Sequence, residues 1–382
     1  MRILLNAATA VVGGGAQVAA SFIANTHRDP RGHSFSYAAS PLVAEQVRAL
    51  LGDASPERLV VTPSPAKLIR GRQSRRAIQA LADDFRPDLV YSITSPSYVD
   101  FGALPEVARF TDGWLTHPNR LAFSRLSLRS ALDLRLRERY KAWALRRVKL
   151  FHTQSQVAAD GLRGRLSLKE DQVEVIPNCA NQIFHASEEA GYGRGKGGDE
   201  IVLVLGNPYP HKNFDLVPDV ACALKQQNER ARFQMTLPAG HPMTHRILTR
   251  AQKLGVADRI QNLGRIDLRQ CREAYLGCSL VFLPTLLETF SATYLEAMAV
   301  GRPVVTTDLD FARDQCGDAA EFFEPLDAGA AADAIQRVLS DQQRYMELVE
   351  NGRKNLARFP SPDEKYEMQL AWLEHACREC CL

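Results

Sequence analysis

The chain has 382 residues, 45% of them hydrophobic and 24% charged, with a formal net charge of +3. That length and composition describe an ordinary globular protein of roughly two domains. They exclude disordered, collagen-like and coiled-coil classes, and the small net charge demands no polyanionic partner.

In chain order, the opening MRILLNAATAVVGGGAQVAASFIA is broken by Asn6 and three glycines. It reads as a strand, a glycine loop and a helix, not as a signal peptide. Apolar and β-branched runs predict strands at 2–6, 35–38, 58–62, 88–93, 107–110, 150–153 and 173–176. Amphipathic periods predict helices at 16–24, 41–51, 75–85 and 132–147. Residues 185–200, HASEEAGYGRGKGGDE, have no apolar period and read as a linker or exposed loop. The alternation then restarts. Strands are expected at 201–205, 232–237, 260–263, 280–283, 303–307 and 321–323, and helices at 214–227, 244–254, 270–275, 292–300, 328–339 and 342–357. Pro360 and Pro362 precede a last helix at 363–377. Strands alternating with helices make βαβ units and parallel sheets. The expected architecture is therefore two doubly wound α/β domains in tandem, with strand C-terminal ends around one cleft, where open α/β sheets bind ligands.

No stretch reaches the roughly 18 uninterrupted apolar residues of a membrane-spanning helix, so a cytoplasmic protein is expected. Five of the eight cysteines stand singly, and Cys377, Cys380 and Cys381 cluster at the C-terminus. No second ligand pair stands at zinc-site spacing, so reduced thiols and no metal site are expected.

Two segments carry chemistry. Gly13, Gly14 and Gly15 stand between the first strand and first helix, where backbone amides approach an anion or simply make a tight turn. The dinucleotide fingerprint fails, because its third glycine falls on Val18 and no acid follows at the end of the second strand. A dehydrogenase is thereby disfavoured. The second segment is PTLLETFSATYLEAMAVGRPVV, residues 284–305. Glu288 precedes a helix and Glu296 lies inside it, with the amides of Phe290, Ser291 and Ala292 between. Carboxylates accept from hydroxyls and helix-start amides serve a phosphate, so the segment suits a polyhydroxylated, phosphorylated ligand. On spacing alone, a capping arrangement with a surface glutamate is equally good.

ETFSATYLEAMAVGRPVV resembles the E-(x)7-E segment of the retaining glycosyltransferases of family 4, with Ser291 and Ala292 in place of the usual Gly-Leu. The resemblance implies the GT-B fold: two Rossmann-like domains facing a cleft, residues 1–184 with about 360–382 on the acceptor side and 185–359 on the nucleotide-sugar side, the C-terminal helix crossing back to the first. LGNPYPHKNFDL resembles the family's donor-domain strand-loop-helix, in which Lys212 contacts the diphosphate. Asn207 stands where an arginine is usual, so either His211, Arg265 or another cation supplies the second positive charge, or the leaving group is less stabilised. VEVIPNCANQIF resembles the hinge segment, and Gly264 the turn beside the base. By the same resemblance, Thr293 lies near the phosphate, Glu288 holds the donor sugar, Glu296 the ribose, and Gly14 and Gly15 close over the diphosphate. Asp112 fits the aspartate of the family's His-Asp pair, but Thr111 stands at the histidine, and whether His117 replaces it stays open.

The implied activity is transfer of a hexosyl unit, mannose-, rhamnose- or glucose-like, from a nucleoside-diphosphate sugar to a cell-surface glycan, such as lipopolysaccharide, or a lipid-linked acceptor. No cofactor beyond that donor is implied. Glu288, Lys212 and Asp112 are the candidate catalytic residues. A nucleotide-sugar epimerase and a non-catalytic binding subunit remain alternatives. Residues 120–149 hold ten cationic side chains against Asp133 and Glu138, interleaved with leucines, and 67–76 add five more. Such a stretch is either a solvated helix face or a surface for an anionic membrane. No nucleic-acid motif accompanies it.

Overall fold

The computed structural model describes the whole chain except residues 12, 53, 68, 186–199, 228 and 381–382. Apart from its two end residues, the linker expected at 185–200 lies outside the described residues. The chain divides into two compact units. Unit 1 is Met1–Thr116, Leu132–Ile176 and Asp363–Leu382, and unit 2 is His117–Ala131 and Pro177–Pro362. The domain change expected at 184/185 thus falls within unit 2.

Unit 1 is built on strands β1 (Arg2–Ala7), β2 (Ser34–Ala39), β3 (Leu59–Val61), β4 (Leu89–Ser92), β5 (Glu106–Arg109), β6 (Leu150–Thr153) and β7 (Val173–Val175). They form one parallel sheet in the order β3-β2-β1-β4-β5-β6-β7. Every residue of β4 and β5 is buried, as expected where helices cover both faces of a parallel sheet. The helices along this part of the chain are α1 (Gly13–Arg28), α2 (Pro41–Leu51), α3 (Arg72–Phe85), α4 (Gly113–Thr116), α5 (Arg120–Ser124), α6 (Leu128–Leu145) and α7 (Gln156–Leu166). Ser40 caps α2 by accepting from the Val43 amide, and Pro41 occupies the first turn, where its missing N–H costs nothing.

Unit 2 carries β8 (Ile201–Val204), β9 (Arg232–Met235), β10 (Ile260–Asn262), β11 (Leu280–Leu283), β12 (Val304–Thr307) and β13 (Ala320–Phe323). They too are parallel, in the order β10-β9-β8-β11-β12-β13. Its helices are α8 (Val217–Gln226), α9 (Pro242–Lys253), α10 (Leu268–Gly277), α11 (Ala292–Ala299), α12 (Asp310–Cys316), α13 (Ala328–Ser340) and α14 (Gln342–Leu356). One core on this sheet gathers Val202, Phe233, Phe282 and Ile335, and another gathers Tyr275, Tyr294, Leu295 and Met298.

The last helix, α15 (Pro362–Cys380), packs Leu370, Trp372 and Leu373 into the core of unit 1 beside Leu5, Tyr37 and Tyr91. Beneath it the Tyr91 hydroxyl lies 2.7 Å from His152 Nε2, and the Trp372 ring packs edge-on at 4.7 Å. Burial holds the His152 pKa well below its usual value, so the imidazole is neutral.

The periodicity missed α4, α5, α7 and α12. In α7 the reason is physical. Gly161 weakens the helical pattern, yet a Cβ there would meet the Thr116 carbonyl oxygen at 2.3 Å. The glycine lets α7 lie against α4, and packing overrides propensity. The expected glycine loop also needs correcting: Gly13, Gly14 and Gly15 form the first turn of α1, entered through Gly13 at φ 67°.

Candidate active site

In each sheet the strand order reverses once, between β1 and β4 in unit 1 and between β8 and β11 in unit 2. The crevice beyond the strand ends at such a reversal is where open α/β sheets take ligands. In unit 2 the two loops leaving β8 and β11 meet there. Gly206 makes the first possible: at φ 149° it turns the chain away from the strand, and a Cβ would sit 3.0 Å from the Phe214 ring. The Leu286 amide donates to the His211 carbonyl at 2.7 Å, joining the loops through their backbones.

That junction brings Lys212 to Glu288. Lys212 Nζ donates to Glu288 Oε1 in an ion pair whose side chains are 13% and 12% exposed. Thr285 Oγ1 donates to the same oxygen at 3.1 Å. Two residues that the motif did not mark fix the loop from outside. His117 Nε2 donates to the Glu288 carbonyl and Asn119 Nδ2 to the Leu286 carbonyl, both at 2.7 Å. His117 therefore steadies the glutamate loop through backbone. Asn119 also caps α5 by accepting from the Ala122 amide at 2.8 Å, and an N-cap asparagine before a short apolar run was the one sequence signal available for it.

Glu296 lies on α11, whose first-turn amides have no acceptor within the helix. Burial raises the Glu296 carboxyl above its usual range, and the Tyr275 hydroxyl works against that by donating to Oε2 at 2.7 Å. The Thr293 hydroxyl in turn bonds to Tyr275. Thr293, expected near a phosphate, thus supports the tyrosine that holds Glu296. Ser291 departs further. Its amide donates to Gln315 Oε1 at 2.9 Å and its carbonyl accepts from Gln315 Nε2 at 2.7 Å. Gln315 is buried, so this amide is spoken for and is not offered to an anion. Ala292 follows at the start of α11, and the Phe290 ring packs edge-on against Phe359.

Asn207, in the position expected for an arginine, is exposed, and its carbonyl accepts from the Tyr209 amide at 2.7 Å. The His211 ring stacks on Tyr209 at 5.5 Å. Gly264 follows β10 at φ 78° with open space where a Cβ would project.

In unit 1 the first turn of α1 lies beside the loop leaving β4. Thr9 Oγ1 and Thr94 Oγ1 are 2.9 Å apart, and a Cβ on Gly15 would find only Thr94 Cγ2, at 3.9 Å. A Cβ on Gly14 would meet nothing within 4 Å, and the residue is exposed. Asp112, just past β5, accepts from the Trp114 amide at 3.0 Å and from Lys141, which also binds Glu138 at 2.7 Å. Burial opposes the Lys141 charge, but Asp112 and Glu138 outweigh it and raise its pKa. Among the described residues, no group of three His, Cys, Asp or Glu side chains stands ready to hold a metal ion.

The sequence profile of Glycosyl transferases group 1 matches residues 192–355, and that of Glycosyltransferase Family 4 matches residues 12–182. Among curated proteins, the chain is 28% identical over 200 residues to the phosphatidyl-myo-inositol mannosyltransferase of Mycobacterium leprae, covering 50% of this chain and 51% of that one. It is 26% identical over 162 residues to the mannosylfructose-phosphate synthase of Agrobacterium fabrum, covering 40% and 36%. The match thus spans 51% of the length of the first of these relatives and 36% of the second. Among solved structures, sucrose-phosphate synthase from Thermosynechococcus elongatus superposes with a TM-score of 0.73 at 16% identity, over 98% of both chains. Anabaena HepE in complex with UDP and glucose superposes with a TM-score of 0.71 at 17% identity, over 98% of this chain and 99% of that one. These likenesses establish the fold as that of the GT-B glycosyltransferases.

Proposed function

Because the chain belongs to the group 1 and family 4 glycosyltransferases, we propose that it transfers a hexosyl unit from a nucleoside-diphosphate sugar to a glycan or lipid-linked acceptor, with retention of anomeric configuration. The observation that carries this is the Lys212–Glu288 pair at the strand reversal of unit 2, with Glu296 half-buried eight residues further on. An ammonium there meets the charge that builds on a departing diphosphate. Glu288 accepts from hydroxyls of the donor sugar, and Glu296, its Oε2 held by Tyr275, presents its other oxygen to the ribose. The Lys212–Glu288 contact is the state before donor binding: the diphosphate takes the lysine and the sugar takes the glutamate. The reading calls for no resident cofactor or metal. Anabaena HepE, crystallised with UDP and glucose, supports a uridine donor carrying a hexose.

Peripheral association with an anionic membrane belongs to the same proposal. No helix among the described residues is long and apolar enough to cross a membrane. On α6, however, Leu128, Leu132 and Leu136 recur every fourth residue and are 92%, 59% and 60% exposed, with exposed arginines between them.

The test is nucleoside-diphosphate release across GDP-, UDP-, ADP- and dTDP-sugars, with and without membrane lipid extract, beside Glu288→Ala and Lys212→Ala. Release from one donor class, abolished in both variants, is the expected result. Tight nucleotide binding with no release from any donor overturns catalysis in favour of a binding subunit.

A further inference from the structure

Gln315, on α12, is buried and stands outside the glutamate segment, yet it closes on the middle of that segment. Its side chain meets one residue twice. Oε1 accepts from the Ser291 amide at 2.9 Å, and Nε2 donates to the Ser291 carbonyl at 2.7 Å. A glutamine amide carries an acceptor and a donor side by side, in the pattern of a peptide group. Gln315 therefore pairs with Ser291 as a neighbouring strand would. The clamp is itself braced. Asn355 Nδ2 donates to the Gln315 carbonyl at 2.9 Å, and Arg358 Nη1 donates to Asn355 Oδ1 at 2.7 Å. On the same side α14 lies close against α11, where a Cβ on Gly352 would stand 3.1 Å from Met298 Cγ.

Ser291 is the residue that opens α11. A serine in that position usually caps the helix, its hydroxyl accepting from a first-turn amide. Here, among the described residues, the hydroxyl makes no such bond. Ser291 is extended, φ −108° and ψ 110°, and the direction in which the chain enters α11 is set from outside, by Gln315. This division of labour has a chemical consequence. A capping hydroxyl would occupy an amide at the helix start, whereas a clamp on the Ser291 backbone fixes the helix start and leaves the amides of Ala292 and Thr293 to an anion. Those amides stand between Glu288, which binds Lys212, and Glu296.

We infer that Gln315 is a positioning residue of the donor site: by holding Ser291 at both backbone atoms, it aims the first-turn amides of α11 at the same diphosphate that Lys212 serves. The role rests on the donor reading. A glutamine that only satisfied the buried Ser291 backbone would matter for folding and would be indifferent to the phosphates of a ligand.

That difference is measurable. UDP and uridine are titrated calorimetrically into the full chain, Gln315→Met and Gln315→Glu, at pH 8 and pH 5.5, beside thermal unfolding of each. Gln315→Met keeps the reach of the side chain and removes its amide. It should weaken UDP by about tenfold, the scale of one hydrogen bond lost or misaligned, and leave uridine, which has no phosphate, unchanged. Gln315→Glu has no donor when ionised, but a protonated carboxyl again offers a donor beside an acceptor. Its UDP affinity relative to the unmodified chain should therefore recover at least about threefold between pH 8 and pH 5.5, with no recovery in Gln315→Met. Equal weakening of UDP and uridine, or unchanged UDP binding in folded Gln315→Met, overturns the inference. So does a Gln315→Glu chain whose UDP affinity ignores pH, which alone decides if Gln315→Met fails to fold. Failure in these variants with UDP binding and turnover intact in the unmodified chain removes only the role of Gln315. An unmodified chain that binds none of UDP, GDP, ADP and dTDP removes the donor reading, and this inference with it.

Discussion

The two units wind their sheets alike, yet their charged side chains are disposed in opposite ways. At the reversal in unit 2, cation meets carboxylate, both nearly buried, and the neighbouring polar groups are committed to one another. In unit 1 the reversal carries hydroxyls and glycines, while the charge lies away from it, on α3 and α6, with arginines outnumbering acids. The lesson is that a shared fold fixes where loops converge and leaves their chemistry free. A matched pair must be opened by its ligand.

The sharpest way to break this contrast is to unmatch the pair in unit 2. Glu288→Gln should lower kcat by about 10²–10³, the scale of losing one preorganised electrostatic contact at a reacting centre. Removing one partner of a buried pair also costs about 3 kcal/mol of stability by stranding the other charge. The double variant Lys212→Met, Glu288→Gln should therefore melt higher than either single variant, with activity still lost. A double variant less stable than both would show that the pair is held for stability, not poised for a ligand.

Unit 1 has its own buried charge, beneath its loops. Burial pushes the Glu106 carboxyl up to about 7, although Ser92 donates to it at 2.6 Å. Its folded pKa exceeds the unfolded value of 4.5, so the folded state binds the extra proton between them. Stability is full below about pH 4.5, falls as pH rises, and reaches its plateau of loss above about pH 7. The shift corresponds to about 3 kcal/mol. Glu106→Gln should abolish this component and raise Tm at pH 8 while leaving pH 4 nearly unchanged. A parallel loss at both pH values would mean that the carboxylate is stabilised by a partner.

What the sequence disclosed follows the same division. Glu288 and Glu296 lie in one contiguous loop-and-helix segment, and Lys212 in one short strand-loop run, so the local spacing of each survives as a motif. His117 and Asn119 act on the Glu288 loop from about 170 residues away, and Gln315 closes on Ser291 across a helix that the periodicity did not show. Such contacts depend on how elements pack and leave no local spacing. The two basic runs around α3 and α6 were visible, but not that they share a pocket with Tyr98. Strand positions were legible because a buried parallel strand is a short apolar run. Helices were lost where a glycine served packing, as Gly161 does against Thr116.

A smaller perturbation tests how closely the matched site is held. Tyr275→Phe removes the hydroxyl that donates to Glu296, worth about 1 kcal/mol. Donor KM should rise about fivefold with kcat little changed, because a binding contact is weakened and the reacting centre is untouched. Losing that donor raises the Glu296 pKa further, so the KM defect should be larger at pH 6 than at pH 8. A defect confined to kcat would place Tyr275 in the chemistry instead.

The least costly change concerns the exposed face of α6. Leu132→Glu with Leu136→Glu touches no core, since both side chains project outward while Leu134, Glu138 and Leu145 face inward. Surface changes of this kind shift stability by less than about 0.5 kcal/mol, so folding and UDP binding should be unaltered. If the leucines enter a lipid surface, sedimentation with anionic vesicles should fall severalfold. Binding of the unmodified chain should weaken as salt screens the arginines. Unchanged sedimentation of the double variant would show that this face does not dock on lipid.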